Sequence, residues 1–296
     1  TSSFHVTGVQ TCALPIWRAT ATTTATSPKA ARSHAPSTST SLGVVASYDG
    51  PGEGQTGPVS RSAERPREPI LFAHRGGRAH APESSLQAFE TAIRMGATGL
   101  EGDVWCTADG VPVLHHDRRV GSALRRRPIT ALRREHLPDG IPTLEDLYRR
   151  IDGGVPLSLD IRDTTAIPAV LEVARRHSAV RSLWLCHSQQ SVLAGIRETE
   201  RDVVLVHSTR IERINEGPER MAADLSNMAI DAVNLPEQDW SAGLVALFRR
   251  FGLRCLGWDA QHPRQIDRLI ALRLDGIYGD HVDRLVEGLA NRRVRP

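Results

Sequence analysis

Short apolar runs alternate with longer amphipathic stretches from residue 67 to residue 296, and this alternation is the strongest constraint on the fold. Continuous apolar runs of about four to eight residues are typical of strands that are buried on both faces of a parallel sheet. Eight such runs predict strands at residues 70–74, 99–105, 156–162, 182–188, 203–208, 232–237, 254–260 and 276–280.

The stretches between these strands carry apolar residues at helical spacing. In SLQAFETAIRMG, Leu86, Phe89 and Ile93 fall on one face, and Gly96 is typical of the residue that follows a helix. Similar helices are predicted in AIPAVLEVARRH, SAGLVALFRRFG and PRQIDRLIALRL. Eight strands, each followed by a helix, in about 230 residues predict an α/β fold of the (β/α)8 or TIM barrel type. A doubly wound open sheet is the alternative, but no Gly-rich phosphate loop follows the first strand.

The first 66 residues differ in character from the rest. Residues 6–16, VTGVQTCALPI, match the in-frame translation of a widely used sequencing-library adapter, and Thr1 is not an initiator methionine, so we interpret residues 1–16 as an assembly artefact. Residues 17–66 are rich in Thr, Ser, Ala, Pro and Gly, and are predicted to be a disordered low-complexity segment, because they cannot bury enough apolar area to offset the entropy of ordering. The folded domain is therefore predicted to be residues 67–296.

Charge and cysteine content exclude several classes of protein. The 37 basic and 34 acidic residues nearly balance, which leaves no basic field for nucleic acid. No run of about 18 apolar residues is present, so no transmembrane segment is predicted. The four cysteines have neither metal-binding nor paired spacing, which favours a reduced compartment and a cytoplasmic location. Secretion is the alternative, if a signal peptide preceded residue 17.

Polar residues stand near the strand ends at which a barrel of this kind carries its active site. Glu101 and Asp103, two residues apart in the second predicted strand, point to the same face. If that face is the barrel interior, two buried carboxylates need a compensating charge, which a hard divalent cation with oxygen ligands supplies. Exposure at the barrel rim, or pairing with arginine, is the alternative.

The third predicted strand repeats this spacing with Asp160 and Arg162. Asp160 can supply a third oxygen to the cation and the planar guanidinium of Arg162 can hold a phosphate, whereas an ion pair within the strand is the alternative. His74, which ends the first strand, and a histidine of VLHHD are candidates for proton transfer, because the ordinary pKa of histidine, about 6.5, suits acid and base catalysis. A purely structural role is the alternative for both.

One long segment resembles the signature region of the glycerophosphodiester phosphodiesterase family. It reads AHRGGRAHAPESSLQAFETAIRMGATGLEGDVWCTADGVPVLHHD, and the family pattern has HRG, PENT, ExD and DGxPVxxHD in this order. The resemblance continues through IPTLEDLY, LDIR, LGWDAQHP and LDGIYGD, and covers about residues 69–288.

The resemblance implies a TIM barrel that hydrolyses a small-molecule glycerophosphodiester to glycerol 3-phosphate and an alcohol, as part of glycerol and lipid metabolism. It also implies a divalent metal cation, Ca2+ or Mg2+, as cofactor. Carried over residue by residue, it implies catalytic roles for His74 and His116, metal ligation by Glu101, Asp103 and Asp160, and substrate binding by Arg75, Glu83, Arg162 and Trp258.

Four motifs depart from the family pattern. PENT is PESS, with Ser84 in place of Asn; ExK is DIR; WTVN is WDAQ; and the last motif ends in Gly279 and Asp280. Aspartate at the third metal position also resembles the phospholipase D toxins of the sphingomyelinase D type. Phospholipase D-like or lysophospholipase D-like activity on choline phospholipids is therefore one alternative, and a non-catalytic barrel that binds a phosphorylated ligand is another. An amidohydrolase-like metal barrel is disfavoured, because the first strand lacks an HxH pair.

Overall fold

The computed structural model describes residues 68–122 and 125–294. The predictions of an artefact at residues 1–16 and of disorder at residues 17–66 fall outside the described residues and stay predictions.

Eight parallel strands form a closed barrel. They are β1 (Ile70–Ala73), β2 (Gly99–Cys106), β3 (Leu157–Ile161), β4 (Leu183–His187), β5 (Val204–Ser208), β6 (Ala232–Pro236), β7 (Arg254–Trp258) and β8 (Gly276–Gly279). Each strand pairs with its neighbours in chain order, and β1 closes the barrel by pairing with both β2 and β8. The predicted TIM barrel is confirmed, and every predicted strand begins and ends within two residues of an observed one.

A helix stands after every barrel strand in the chain. The helices are α1 (Leu86–Arg94), α2 (Leu144–Tyr148), α3 (Ile167–Arg176), α4 (Gln190–Thr199), α5 (Pro218–Asn227), α6 (Ala242–Arg250), α7 (Pro263–Ala271) and α8 (Val282–Val294). The Ser85 side chain caps α1 by accepting a hydrogen bond from the backbone N–H of Ala88, and Gly96, with a φ of 100°, follows the last turn as predicted. None of the helices in the described part of the chain is long and apolar enough to cross a membrane.

Two apolar layers hold the barrel together. The larger layer lies between the sheet and the helices and includes Leu100 and Leu205. Inside the barrel, the ring of Phe72 stacks on Tyr278 with centroids 4.5 Å apart and packs edge-on against Trp184 at 5.5 Å. Burial of each such side chain contributes roughly 1.5–3 kcal/mol relative to exposure. Because these rings fill the barrel below the strand ends, the polar interior residues gather at the carboxyl ends.

The connection between β2 and α2 contains short strands that the sequence analysis did not predict. They are Pro112–Leu114, Arg119–Val120 and Arg127–Pro128. The first pairs antiparallel with β2 after a tight turn in which Gly110 has a φ of 81°. His115 directly follows this return strand, and its backbone N–H donates a hydrogen bond to the carbonyl of Asp103. The connection thereby begins beside the acidic strand face.

Candidate active site

The carboxyl ends of the barrel strands surround a cavity of about 380 Å³, here called the mouth cavity. Six of the nine predicted site residues line it: His74, Arg75, Glu101, Asp160, Arg162 and Trp258. The other three, Glu83, Asp103 and His116, are not among its lining residues.

Three carboxylates from two adjacent strands converge at this cavity. Glu101 and Asp103 lie on β2, and the strand register pairs Asp103 with Asp160 on β3. One oxygen of each side chain lies within 4.8 Å of an oxygen of the other two. Glu101 and Asp103 are only 4% and 1% exposed, so they occupy the interior face that their spacing predicts.

Burial alters the proton affinity of these carboxylates. It raises the pKa of Glu101 to about 8, against the positive charge of His74 and a hydrogen bond donated by the backbone N–H of Arg75. Burial also raises the pKa of Asp160, against the positive charge of Arg162. Carboxylates this close together in a buried site favour the uptake of a proton or a cation.

Two arginines partly balance the acidic cluster, as the ion-pair alternative anticipated. Arg162 Nε donates to Asp103 Oδ1 at 2.6 Å, and a terminal nitrogen of Arg162 lies 3.5 Å from Asp160 Oδ2. Arg75 Nε lies 3.4 Å from Asp103 Oδ2, and neither of these two atoms makes a hydrogen bond within the described residues. With all three carboxylates ionised, one negative charge remains, and Asp103 keeps one buried oxygen without a donor.

Arg75 is held in an uncommon backbone conformation. Its φ of 50° and ψ of 38° are left-handed, and its backbone N–H donates to Glu101 Oε2 at 2.8 Å. Its guanidinium donates to Glu83 Oε2 at 3.0 Å, so Glu83 acts on the cavity through Arg75. Ser84, with a φ of 57°, donates its backbone N–H to the carbonyl of Arg75. Left-handed non-glycine residues are uncommon and cluster at functional sites.

His74 is held by a carboxylate on its far side. Its Nδ1 lies 2.6 Å from Asp280 Oδ1, and its Nε2 lies 3.8 Å from Glu101 Oε2. Burial lowers the pKa of His74, but the charge of Glu101 and the hydrogen bond to Asp280 outweigh it, so the net pKa is raised. The pKa of Asp280 is lowered despite its burial, because His74 and Arg78 both hydrogen-bond to it. An ionised carboxylate only accepts hydrogen bonds, so Nδ1 donates and Nε2 is left for proton exchange.

Asp280 and Arg78 are candidate site residues that the sequence analysis missed. Asp280 ends the LDGIYGD motif, which was the available signal, while Arg78 stands in no motif. The parallel register pairs Ala73 with Gly279, so the next residue on each strand, His74 and Asp280, meet at the barrel mouth. Arg78 Nε then donates to Asp280 Oδ2 at 2.7 Å.

The two adjacent histidines lie on the connection that follows the return strand. The His116 side chain is 37% exposed, and its Nδ1 lies 3.1 Å from Asp117 Oδ1. His115 contacts the acidic strand through its backbone, and burial lowers the pKa of its ring. The structure therefore brings the backbone of His115 to Asp103, whereas His116 is not among the residues that line the mouth cavity.

Trp258, at the end of β7, forms an apolar wall of the mouth cavity. The guanidinium carbon of Arg210 lies 4.6 Å from the centroid of its ring, a cation–π contact. Its Nε1 is buried without a hydrogen-bond partner in the part of the chain that the structure describes. The indole therefore offers a ligand an apolar face, while its N–H is buried within the protein.

The acidic cluster fits a divalent cation. Ca2+ and Mg2+ take oxygen ligands, and carboxylates are the side chains that bind them most often. Three carboxylate oxygens at mutual distances within 4.8 Å supply such a set. The buried Asp103 Oδ2, which lacks a donor among the described residues, is available as one of them.

Comparisons with known proteins match the chain to one enzyme family. The model of the Glycerophosphoryl diester phosphodiesterase family matches residues 74–284. The probable glycerophosphodiester phosphodiesterase 2 of Mycobacterium tuberculosis is 28% identical over 251 residues, which cover 75% of this chain and 91% of that protein.

Solved structures share the fold at low sequence identity. A putative glycerophosphoryl diester phosphodiesterase from Agrobacterium tumefaciens has a TM-score of 0.70 and 19% identity, over 77% of this chain and 100% of that one. An Oleispira antarctica phosphodiesterase in complex with the product sn-glycerol-3-phosphate has a TM-score of 0.66 and 19% identity, over 75% and 97% of the two chains. At these identities the likeness establishes the barrel fold.

Proposed function

Because the chain belongs to the glycerophosphoryl diester phosphodiesterase family, we propose that it hydrolyses glycerophosphodiesters to sn-glycerol 3-phosphate and an alcohol in the mouth cavity. The observation that carries the proposal is the meeting of a buried carboxylate cluster, a carboxylate-bound histidine and two arginines in one cavity. The Oleispira antarctica relative holds the product that the proposal names.

Glu101, Asp103 and Asp160 are the proposed ligands of a divalent cation, Ca2+ or Mg2+. When bound, the cation would offset the negative charge of the phosphate in the transition state. The support is the convergence of three carboxylate oxygens and the buried, undonated Asp103 Oδ2.

Arg75 and Arg162 are the proposed contacts of the phosphate oxygens. Arg162 is oriented by Asp103, and Arg75 is oriented by Glu83, so both guanidinium groups are positioned before substrate binds. Trp258 would pack against the apolar parts of the substrate.

His74 is the proposed general base. Since its Nδ1 donates to Asp280, its Nε2 can accept the proton of the attacking group, which is water or the 2-hydroxyl of the substrate. The carboxylate of Asp280 then stabilises the imidazolium that forms, as in other histidine–carboxylate pairs.

His116 is the proposed acid that protonates the leaving alkoxide. The support is the position of His116 in the family motif and on the connection that begins beside Asp103. The neighbouring pair makes a matched test: we expect His116→Ala to lower kcat about 10²- to 10⁴-fold, and His115→Ala to lower it much less. The reverse order would transfer the acid role to His115.

The main experiment measures the release of glycerol 3-phosphate from glycerophosphocholine and glycerophosphoethanolamine by the full chain. We expect turnover with Ca2+ or Mg2+, loss of turnover with EDTA, and recovery when the cation is restored. His74→Ala should lower kcat about 10²- to 10⁴-fold. Turnover that survives EDTA or His74→Ala would refute the mechanism. Cation binding without turnover of any diester would favour a barrel that only binds phosphorylated ligands.

Two further proposals concern the whole chain. We propose that the folded domain begins at residue 67, and limited proteolysis followed by mass spectrometry should leave a resistant fragment that starts near it. We also propose a cytoplasmic location, supported by two buried cysteines, Cys106 and Cys186, that form no disulfide within the described residues. Cell fractionation tests the location, and recovery with secreted proteins would contradict it.

A further inference from the structure

We propose that the alcohol part of the preferred substrate carries a second phosphate group, which binds in an arginine-lined recess beside the mouth cavity. This inference rests on the proposed function and names the substrate class of the same site. The recess, here called the arginine lobe, has a volume of about 250 Å³. The lining residues that carry the argument are Arg162, Arg210, Arg213, Ser188, Thr209 and Trp258.

The arginine lobe is continuous with the mouth cavity. Asp160, Arg162, Ser208 and Trp258 line both spaces, so a diester whose phosphorus lies at the acidic cluster can extend its alcohol past Trp258 into the lobe. Pockets for whole drug-sized ligands measure about 300–1,000 Å³. The lobe is smaller than that, so its volume suits one substituent of a substrate rather than a separate ligand.

The lobe carries unbalanced positive charge. Arg210 and Arg213 line the lobe but not the mouth cavity, and neither lies within salt-bridge distance of a carboxylate in residues 68–122 and 125–294. By contrast, Arg220 on α5 forms a salt bridge with Asp224. Among the residues that line the lobe, Asp160 is the one carboxylate, and it faces the mouth cavity as well.

The chemistry of the lobe matches a phosphate monoester. Arginine guanidinium groups bind phosphate through paired N–H donors, and the hydroxyl groups of Ser188 and Thr209 add donors of neutral charge. The stacking of Arg210 on Trp258 restrains its side chain, so less freedom is lost on binding. A choline or ethanolamine group would bring a positive charge against Arg210 and Arg213, which disfavours it.

The reaction on such a substrate is an ordinary hydrolysis. The P–O bond to the alcohol breaks, water supplies the new oxygen on phosphorus and the proton on the leaving oxygen, and no redox step occurs. The products are glycerol 3-phosphate and the phosphorylated alcohol.

The test uses substrate pairs that differ by one phosphate, with the cation-loaded full chain. The pairs are glycerophosphoinositol with glycerophosphoinositol 4-phosphate, and glycerophosphoglycerol with glycerophosphoglycerol phosphate. We expect kcat/KM to be higher, by about tenfold or more, for the phosphorylated member of at least one pair. The increase should come mostly from a lower KM. The pair that shows it identifies the alcohol. Salt should reduce this preference, because the lobe is partly open to solvent. Equal or lower kcat/KM for the phosphorylated members of both pairs would overturn the inference and leave the proposed function intact.

Arginine variants locate the effect. We expect Arg210→Gln and Arg213→Gln each to reduce the ratio of kcat/KM for the phosphorylated over the unphosphorylated substrate by about tenfold. Arg220→Gln removes the same charge outside the lobe and should leave the ratio unchanged; an equal drop there would overturn the inference.

If no diester is hydrolysed, the proposed function fails, and calorimetry with inositol 4-phosphate and glycerol 3-phosphate as probes decides the inference. The inference would then be overturned if the wild type binds inositol 4-phosphate no more tightly than Arg213→Gln does.

Discussion

The histidine that faces the acidic cluster is oriented by a carboxylate 206 positions away in the sequence. His74 could be identified from its motif, because a histidine followed by Arg75 and two glycines at a strand end is a distinctive local pattern. Asp280 could not be assigned as its partner in the same way, because their contact depends on the register between β1 and β8. Side-chain contacts of this kind need tertiary structure, whereas residue types at strand ends can be read locally.

At the residue scale, Asp280→Asn should impair catalysis more than folding. The amide cannot stabilise a positive charge on His74 as the carboxylate does, so we expect kcat/KM to fall at least about tenfold. Asp283→Asn is the matched control, because Asp283 contacts His80 and is half exposed. Steady-state kinetics and thermal unfolding of both variants check this, and equal activity in the two variants would contradict it.

A second residue-scale prediction concerns acid stability. His207 on β5 is 5% exposed, and burial lowers its pKa to about 4, with a smaller contribution from the charge of His187. The unfolded chain therefore binds more protons than the folded chain between about pH 6.5 and pH 4. Stability is fully present above this window and is lost as the pH falls through it, at about 1.4 kcal/mol per pH unit.

The check is urea unfolding of wild type and His207→Gln between pH 7 and pH 4. The free energy of unfolding should fall less steeply with acid in the variant, since the titrating group is removed. His136→Gln changes an exposed histidine and should follow the wild type. Parallel wild-type and His207→Gln curves would refute the assignment.

At the element scale, the barrel strands were predicted closely and the connection after β2 was not. Strands buried on both faces read as continuous apolar runs, so their positions show in the sequence. The return strand Pro112–Leu114 has three residues, too few for a periodic pattern. Pairing of the carboxylate face with an arginine was an alternative, but that Arg162 pairs with Asp103 could not be predicted, because the contact joins β2 and β3 side chains across the sheet. The carboxylate face itself followed from the two-residue spacing.

The turn after β1 should tolerate no side chain at Gly76. Gly76 has a φ of 78°, and an added Cβ would lie 2.8 Å from Ala88 Cβ and 2.9 Å from Phe89 N on α1. We expect Gly76→Ala to lower the free energy of unfolding by about 2–4 kcal/mol, from left-handed strain and overpacking together. Gly110→Ala is the control: its φ of 81° adds strain, but nothing lies within 4 Å of the new Cβ. Chemical denaturation should show a loss of about 1 kcal/mol there, and equal losses would contradict the packing argument.

At the scale of the whole molecule, the closed barrel holds the carboxylates of the acidic cluster in a buried position. Negative charge is costly there unless a cation or a proton compensates it. Helices and aromatic rings bury the walls of the barrel, and the acidic cluster stands at the carboxyl ends of its strands. The fold class could be predicted from the sequence because eight repeated units leave few other arrangements. The loop geometry at the mouth, which lines the proposed substrate site, has no comparable repeat.

Cation binding should therefore stabilise the whole molecule. At a cation concentration about 100 times its Kd, we expect a gain of about 2.7 kcal/mol, seen as a rise in Tm over the EDTA-treated protein. Asp103→Asn removes a proposed ligand and should abolish the rise, while Asp139→Asn, an exposed change, should keep it. Differential scanning calorimetry measures this, and a rise that persists in Asp103→Asn would argue against the assigned cation site.

The contact between His74 and Asp280 also bears on biosynthesis. Among the barrel strands, β1 leaves the ribosome first and β8 last, so a nascent chain carries His74, the proposed base, long before the carboxylate that orients it. Activity should then appear late and abruptly during synthesis, after the eighth strand has docked beside the first. A stalled or prematurely terminated chain would be inactive. This arrangement links the onset of phosphodiester hydrolysis to completion of the barrel.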